Sequence, residues 1–235
     1  MTTPSHHLHS HLHFGDCLAY MAVLPAQSVN LIVTDPPYLV NYRSRDGRTI
    51  IGDKTSEWLE PAFMNMYRLL KNNSFALSFY GWNHVDKFMT AWRKAGFRIV
   101  GHFVFAKHYA SRTGFAEFRH ECAYLLAKGN PEAPDYILPD VMPWGKYTGN
   151  RLHPTQKPLE ILRPLIRSYS HIGDVVFDPF AGSASTLIAA AQLERSWVGC
   201  EIDPDYYHKA AQRLVNFPSS QKGAFYESRK TYAQG

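Results

Sequence analysis

Cysteine is scarce, with three in 235 residues, at positions 17, 122 and 200. An odd number of widely separated cysteines, with no C-x-x-C pair, excludes a disulfide framework and a thiolate zinc site. Cys17, Cys122 and Cys200 therefore read as reduced packing residues. Long apolar runs are lacking too. Nothing approaches the ~20 consecutive apolar residues that a membrane-spanning helix requires. Residues 1–13 are polar and His-rich where a secretory leader would carry an apolar stretch, so the cytoplasm is the expected compartment. Acids are the minority charge, 20 Asp and Glu against 25 Lys and Arg, and the net charge of +5 suits a polyanionic partner. The length accommodates one ordinary domain with a full core, and no internal repeat divides it.

What is present is unevenly placed. Residues 87–120 hold seven basic side chains (Lys87, Arg93, Lys94, Arg98, Lys107, Arg112 and Arg119) against one acid, Glu117. Residues 174–205 reverse the balance, with six acids against Arg195 alone. Five of the first thirteen residues are histidine, and a flexible arm over 1–13 is expected there, with no metal site assigned to it; a polar tail is expected over 217–235.

Between these tails, short apolar runs at 30–34, 75–80, 97–105, 121–127, 174–177 and 196–201 read as buried strands. Helix-period segments at 57–70, 84–95, 159–169, 184–193 and 204–214 separate several of them. That alternation predicts one α/β domain over 14–216, a mostly parallel sheet with helices on both faces. The stretches 39–56 and 107–151, rich in Gly, Pro, Arg and Tyr, break the rhythm and are expected to be ligand-facing loops.

Two motifs carry chemistry. Residues 174–178 form an apolar strand that runs into Pro179-Phe180-Ala181-Gly182-Ser183-Ala184-Ser185-Thr186 and then a helix. Small residues let the backbone approach a ligand, and the free N–H groups of a helix start receive a carboxylate or phosphate. Nineteen residues beyond Gly182, Glu201 ends the next apolar run, where an acid can accept both hydroxyls of a ribose. A nucleoside-bearing ligand is implied. One glycine stands where the dinucleotide pattern G-x-G-x-x-G has three, which disfavours a pyrophosphate.

The second motif is Asp35-Pro36-Pro37-Tyr38, at the end of the apolar run 30–34. Pro37 forces Pro36 into an extended conformation, and two prolines remove two N–H donors. The loop thus offers acceptors, the Asp35 carboxylate and the Pro36 carbonyl, whose complement is an amine bearing two hydrogens. Gripping those hydrogens localises the lone pair of a conjugated amine and prepares the nitrogen to attack a methyl group. Tyr38 adds a flat face for a base, a contact worth ~1–3 kcal/mol.

Together with Gly15-Asp16-Cys17, His153-Pro154-Thr155-Gln156-Lys157-Pro158 and Gly199-Cys200-Glu201-Ile202-Asp203, these motifs resemble the beta-class DNA amino-methyltransferases, in which the catalytic tetrapeptide precedes the cofactor turn. The resemblance spans about residues 14–215 and looks closest to small solitary adenine methyltransferases of plasmids and phages. It implies a Rossmann-like fold that uses S-adenosylmethionine, with Asp35, Pro36, Pro37 and Tyr38 catalytic. It further implies that Asp16 meets the cofactor's adenine, that Thr155 and Lys157 lie near its methionine carboxylate, and that Glu201 holds its ribose. Cys17, Asp35, Asp178, Phe180, Ala181, Gly182, Ser183, Ala184, Thr186, Ile202 and Asp203 complete the expected cofactor set. Two departures stand out: Ala184 occupies a usual glycine, and Asn72-Asn73 replace a Pro-Gly turn.

Asp at position 35 resembles the enzymes of adenine N6, whereas Ser there marks those of cytosine N4. The target base must leave the duplex stack to be reached. Arg43, Arg45 and Arg48, and the basic and aromatic residues around Lys107, Arg112 and Arg119, are the expected contacts to double-stranded DNA. The family implies a homodimer. Alternatives are methylation of cytosine N4, of RNA or of a protein amine, and a DNA-binding protein without catalysis.

Overall fold

A computed structural model describes residues 8–43, 49–112, 115–145 and 156–216. Eight strands form one sheet: β1 (His11–Phe14), β2 (Val29–Thr34), β3 (Leu70–Phe79), β4 (Arg98–Arg112), β5 (Glu117–Lys128), β6 (Val141–Pro143), β7 (Val175–Asp178) and β8 (Ser196–Glu201). Their order is β1-β8-β7-β2-β3-β5-β4-β6, and only β5 pairs antiparallel to its neighbours. In the middle, β2 and β7 are apolar on both faces, as strands covered on both sides must be.

The helices are α1 (Cys17–Val23), α2 (Leu59–Leu69), α3 (Val85–Ala95), α4 (Leu159–Tyr169), α5 (Ser185–Gln192) and α6 (Pro204–Val215). Buried residues of α1, α2 and α3, among them Met21, Phe63 and Trp92, pack with Ile32 and Phe177 on one face of the sheet. Ile161, Leu165 and Ile166 of α4 and Ala189 and Ala190 of α5 pack with Leu31, Val33 and Val176 on the other. Fully burying a side chain of this kind contributes ~1.5–3 kcal/mol.

The chain therefore leaves β2 toward one face and β7, its neighbour, toward the other. Where adjacent parallel strands send their helices to opposite faces, the loops at their carboxyl ends part and leave a crevice. Both sequence motifs lie in those two loops.

Several expected boundaries move. His11, Leu12 and His13, assigned to a flexible arm, belong to β1, which pairs in parallel with β8. The first part of the expected loop 107–151 is instead a hairpin of β4 and β5, and 141–143 add β6. Helix α1 has too few residues to show a period; Asp16 caps it, its Oδ1 accepting the Leu18 N–H at 2.8 Å. Asn73 adopts φ 57, the left-handed turn expected of it, and its Oδ1 accepts the Asn130 N–H at 2.9 Å.

Candidate active site

The crevice is a cleft with about 960 Å3 of space between the atoms, open solvent included, and both motifs line it. The tetrapeptide Asp35 to Tyr38 forms one wall, and Phe180, Ala181, Gly182, Ser183 and Thr186 form the other. Asp178, Glu201, Ile202, Asp203 and Lys157 also line it, so eleven of the expected cofactor residues, Asp35 included, converge there.

At the tetrapeptide wall Lys157, 6% exposed, sets its Nζ 2.6 Å from Asp35 Oδ2 and donates to the Tyr38 hydroxyl at 3.1 Å. The Tyr38 hydroxyl donates to Asp35 Oδ1 at 2.8 Å. Both carboxylate oxygens are thus engaged, and each keeps a further acceptor position, since an ionised carboxylate offers about four. Burial pushes the Asp35 carboxyl above its ordinary value; Lys157 and Tyr38 oppose this and Glu121 adds to it. Burial, then the charge of Asp35, drives the Tyr38 phenol well above its own.

At the opposite wall Gly182 takes φ 53. Glu201 Oε2 accepts its N–H at 2.7 Å, and Oε1 accepts that of Asp203 at 2.9 Å. Asp178 accepts the Phe180 N–H at 3.1 Å, and burial raises its carboxyl to about 7. Arg213 of α6 braces this turn from behind, Nη1 donating to Ser183 O and Ser185 Oγ, each at 2.9 Å.

Not every expected residue arrives. Asp16 is spent on capping α1, and neither it nor Cys17 lines the cleft. Burial raises the Cys17 thiol to about 12, which keeps it inert. Ala184 also stays off the lining and is fully buried, at φ 63 and ψ 27, so a side chain there strains the backbone rather than crowding a ligand. Thr155, Arg45, Arg48 and the side chain of Arg112 lie outside the described residues.

Lys107 is corrected more sharply. Its side chain is 8% exposed and bonded to Glu121 at 2.5 Å, so its charge is committed within the protein rather than offered to a phosphate. Arg119 is exposed and paired with Glu117 at 2.9 Å, and Arg43 is exposed beside an isolated bridge to Thr49.

Sequence reasoning missed Glu121. Burial pushes its carboxyl up, but the ammonium groups of Lys157 and Lys107 outweigh this and hold it below its ordinary value. Two ion pairs, Lys157 with Asp35 and Lys107 with Glu121, thus influence each other's charges beside the tetrapeptide. Asp53 was missed as well: 1% exposed, it accepts the Val40 and Tyr42 N–H groups at 3.2 and 2.5 Å and holds the loop that follows Tyr38. An acid directly after Gly52 in this loop was the one signal the sequence offered.

Comparison with known proteins decides the family. The N6/N4 DNA methylase family matches residues 29–141 and 135–212. The chain belongs to that family. YubD of Escherichia coli (strain K12), described as a methylase, is 55% identical over 201 residues, covering 86% of this chain and 88% of YubD. The DNA adenine methyltransferase YhdJ of the same strain is 28% identical over 260 residues, covering 92% and 87%. Among solved structures, TTHA0409 of Thermus thermophilus, a DNA modification methylase by description, complexed with S-adenosyl-L-methionine, has a TM-score of 0.69 at 25% identity, covering 93% of this chain and 96% of its own. The methylase fold is therefore a Rossmann-like α/β domain, and the family's methyl donor is S-adenosylmethionine.

Proposed function

We propose that this methylase transfers a methyl group to the N6 amine of adenine in double-stranded DNA, at a base rotated out of the duplex. The observation that carries the reading is the tetrapeptide wall itself: acceptors and no proline N–H donors, directly across the cleft from the cofactor turn. Asp35 in first place and the likeness to YhdJ support adenine over cytosine N4.

The second wall fits S-adenosylmethionine. Glu201 has an unused acceptor position on each oxygen for the ribose hydroxyls, and Phe180 and Ile202 offer apolar surface beside it. Gly182 admits close approach of its backbone. When bound, the cofactor supplies an electrophilic methyl group.

This chain's residues prepare the nucleophile. Asp35 and the Pro36 carbonyl accept the two amine hydrogens, which localises the nitrogen lone pair. Tyr38 stacks on the base, and its hydroxyl together with Lys157 fixes the Asp35 carboxylate in place. The nitrogen sheds one proton as it gains the methyl group, and Asp35, its carboxyl raised by burial, is the acceptor within reach. Lys157 is also near enough to the cleft to meet a cofactor carboxylate. Among the described residues no second domain is available for reading sequence, which supports readout shared by two copies on one DNA site.

The test is expression in a bacterial host free of DNA methylation, followed by single-molecule sequencing for modified bases. N6-methyladenine in a defined motif is expected. N4-methylcytosine overturns the base assignment, and unmodified DNA overturns the substrate. Asp35→Ala is expected to reduce methyl transfer at least a thousandfold, by analogy with the loss of an essential base and positioning group, while S-adenosylmethionine still binds. Near wild-type turnover in that variant refutes the role of Asp35.

A further inference from the structure

The outer part of the β4–β5 hairpin is not used by the chemistry above. Because β5 runs antiparallel to β3, and Phe79 at the end of β3 pairs with Ala123, residues 117–122 extend past the sheet edge where Asp35 stands. On this overhang Phe118 stacks on Trp82, ring centres 5.3 Å apart and planes 21° from parallel. Trp82 is 62% exposed, and Phe115, just before β5, is fully exposed. Isolated apolar side chains on a surface need no explanation, but a cluster of aromatic faces left in water marks a binding site.

The stack is joined to the catalytic loop and to the core. A Cβ on Gly81 would fall 2.8 Å from Tyr38 Cβ and 2.9 Å from Tyr38 O, so the chain lies against the tetrapeptide immediately before Trp82. Further along the same face of β5, Tyr124 packs against Tyr80 and His102 at ring distances of 5.1 and 4.5 Å. On the same strand Arg119 and His120 are exposed, and Arg119 pairs with Glu117 at 2.9 Å.

We infer that Trp82 and Phe118 form a stacking platform for DNA bases next to the adenine that is rotated into the cleft, a contact outside the catalytic pocket. The inference rests on the DNA-methylating reading above. Removing a base from a duplex leaves its neighbours with uncovered faces. Aromatic side chains cover such faces without regard to sequence. The occupant is therefore the opened duplex itself.

Trp82→Ala, Trp82→Phe and Phe118→Ala in the full chain test it, on a duplex carrying the motif found by sequencing, with 2-aminopurine beside the target adenine. Trp82 is exposed, so the fold survives its replacement, which a thermal melt checks. The alanine variants are expected to bind DNA roughly tenfold more weakly, to raise KM for DNA, and to lose the quenching of 2-aminopurine by stacking. S-adenosylmethionine affinity stays within twofold and kcat within threefold, and Trp82→Phe recovers most of the loss. Wild-type DNA affinity and unchanged fluorescence in both alanine variants, with methylation intact, overturn the platform alone. A wild-type chain that binds S-adenosylmethionine but no DNA overturns the platform together with the reading beneath it.

Discussion

The reactivity of Asp35 depends on its neighbours. In the proposed mechanism it works as the carboxylate, so turnover is expected to rise as pH climbs through its pKa, which burial places above the usual range. Glu121 adds to that elevation and competes for Lys157. Replacing Glu121 with Gln removes a charge that raises Asp35 and leaves Lys157 to stabilise the carboxylate alone. Both effects lower the Asp35 pKa, so the acid limb of the kcat–pH profile is expected to move to lower pH; a limb that stays in place or moves upward would show that Glu121 does not act on Asp35. Ala184 shows a different balance at the same scale. Its left-handed backbone costs about 1–2 kcal/mol for any residue with a side chain, and burying its methyl group returns ~0.8 kcal/mol. The burial offsets only part of the strain, and the remaining cost of about 1 kcal/mol or less is small enough for the turn to persist with alanine. The Asp35 and Glu201 assignments were legible because their type and spacing carry chemistry by themselves. Glu121 was not, because a Glu on an ordinary strand acquires meaning only from the two lysines that fold against it.

Elements bring these residues to their distances. Most helices and strands follow the sequence periodicities closely; α4 spans the expected 159–169 and β8 the expected 196–201. The errors lie where pattern is weak. Basic and aromatic residues interleaved over 107–120 read as loop, yet 107–112 and 117–120 lie in strands, and strand alternation turns Lys107 inward to Glu121 while Phe118 and His120 lie on the other face. The end of β3 matters as much as its length. Gly81 is required there by the close approach of Tyr38. Gly81→Ala is expected to displace the tetrapeptide by a few tenths of an ångström or more and to lower kcat roughly ten- to hundredfold, with S-adenosylmethionine binding unchanged. Single-turnover rates and cofactor titration check this, and an unimpaired kcat would mean that the loop tolerates the shift.

Across the whole molecule, charge and topology divide the work. The net charge of +5 suits a polyanion such as DNA, yet several of its cations are already engaged: Lys107 with Glu121, Lys94 with Glu60, and Arg98 with the Gly129 carbonyl. Arg43, exposed beside the cleft-lining Tyr42, is a better candidate for a phosphate. Arg43→Ala is expected to weaken DNA binding and to reduce the slope of log K against log salt by about one, measured by fluorescence anisotropy over a salt series; an unchanged slope removes Arg43 from the phosphate contacts. The sequence by itself determined the α/β class, the order of the two motifs and the chemistry each offers, because apolar periodicity and residue type are local properties of the chain. The tertiary structure alone decided that β2 and β7 lie side by side with their helices on opposite faces, that Lys157 crosses 122 positions to reach Asp35, and that Lys107 pairs with Glu121. Those are pairings between distant segments, set by which faces can be buried together, and no local pattern encodes them.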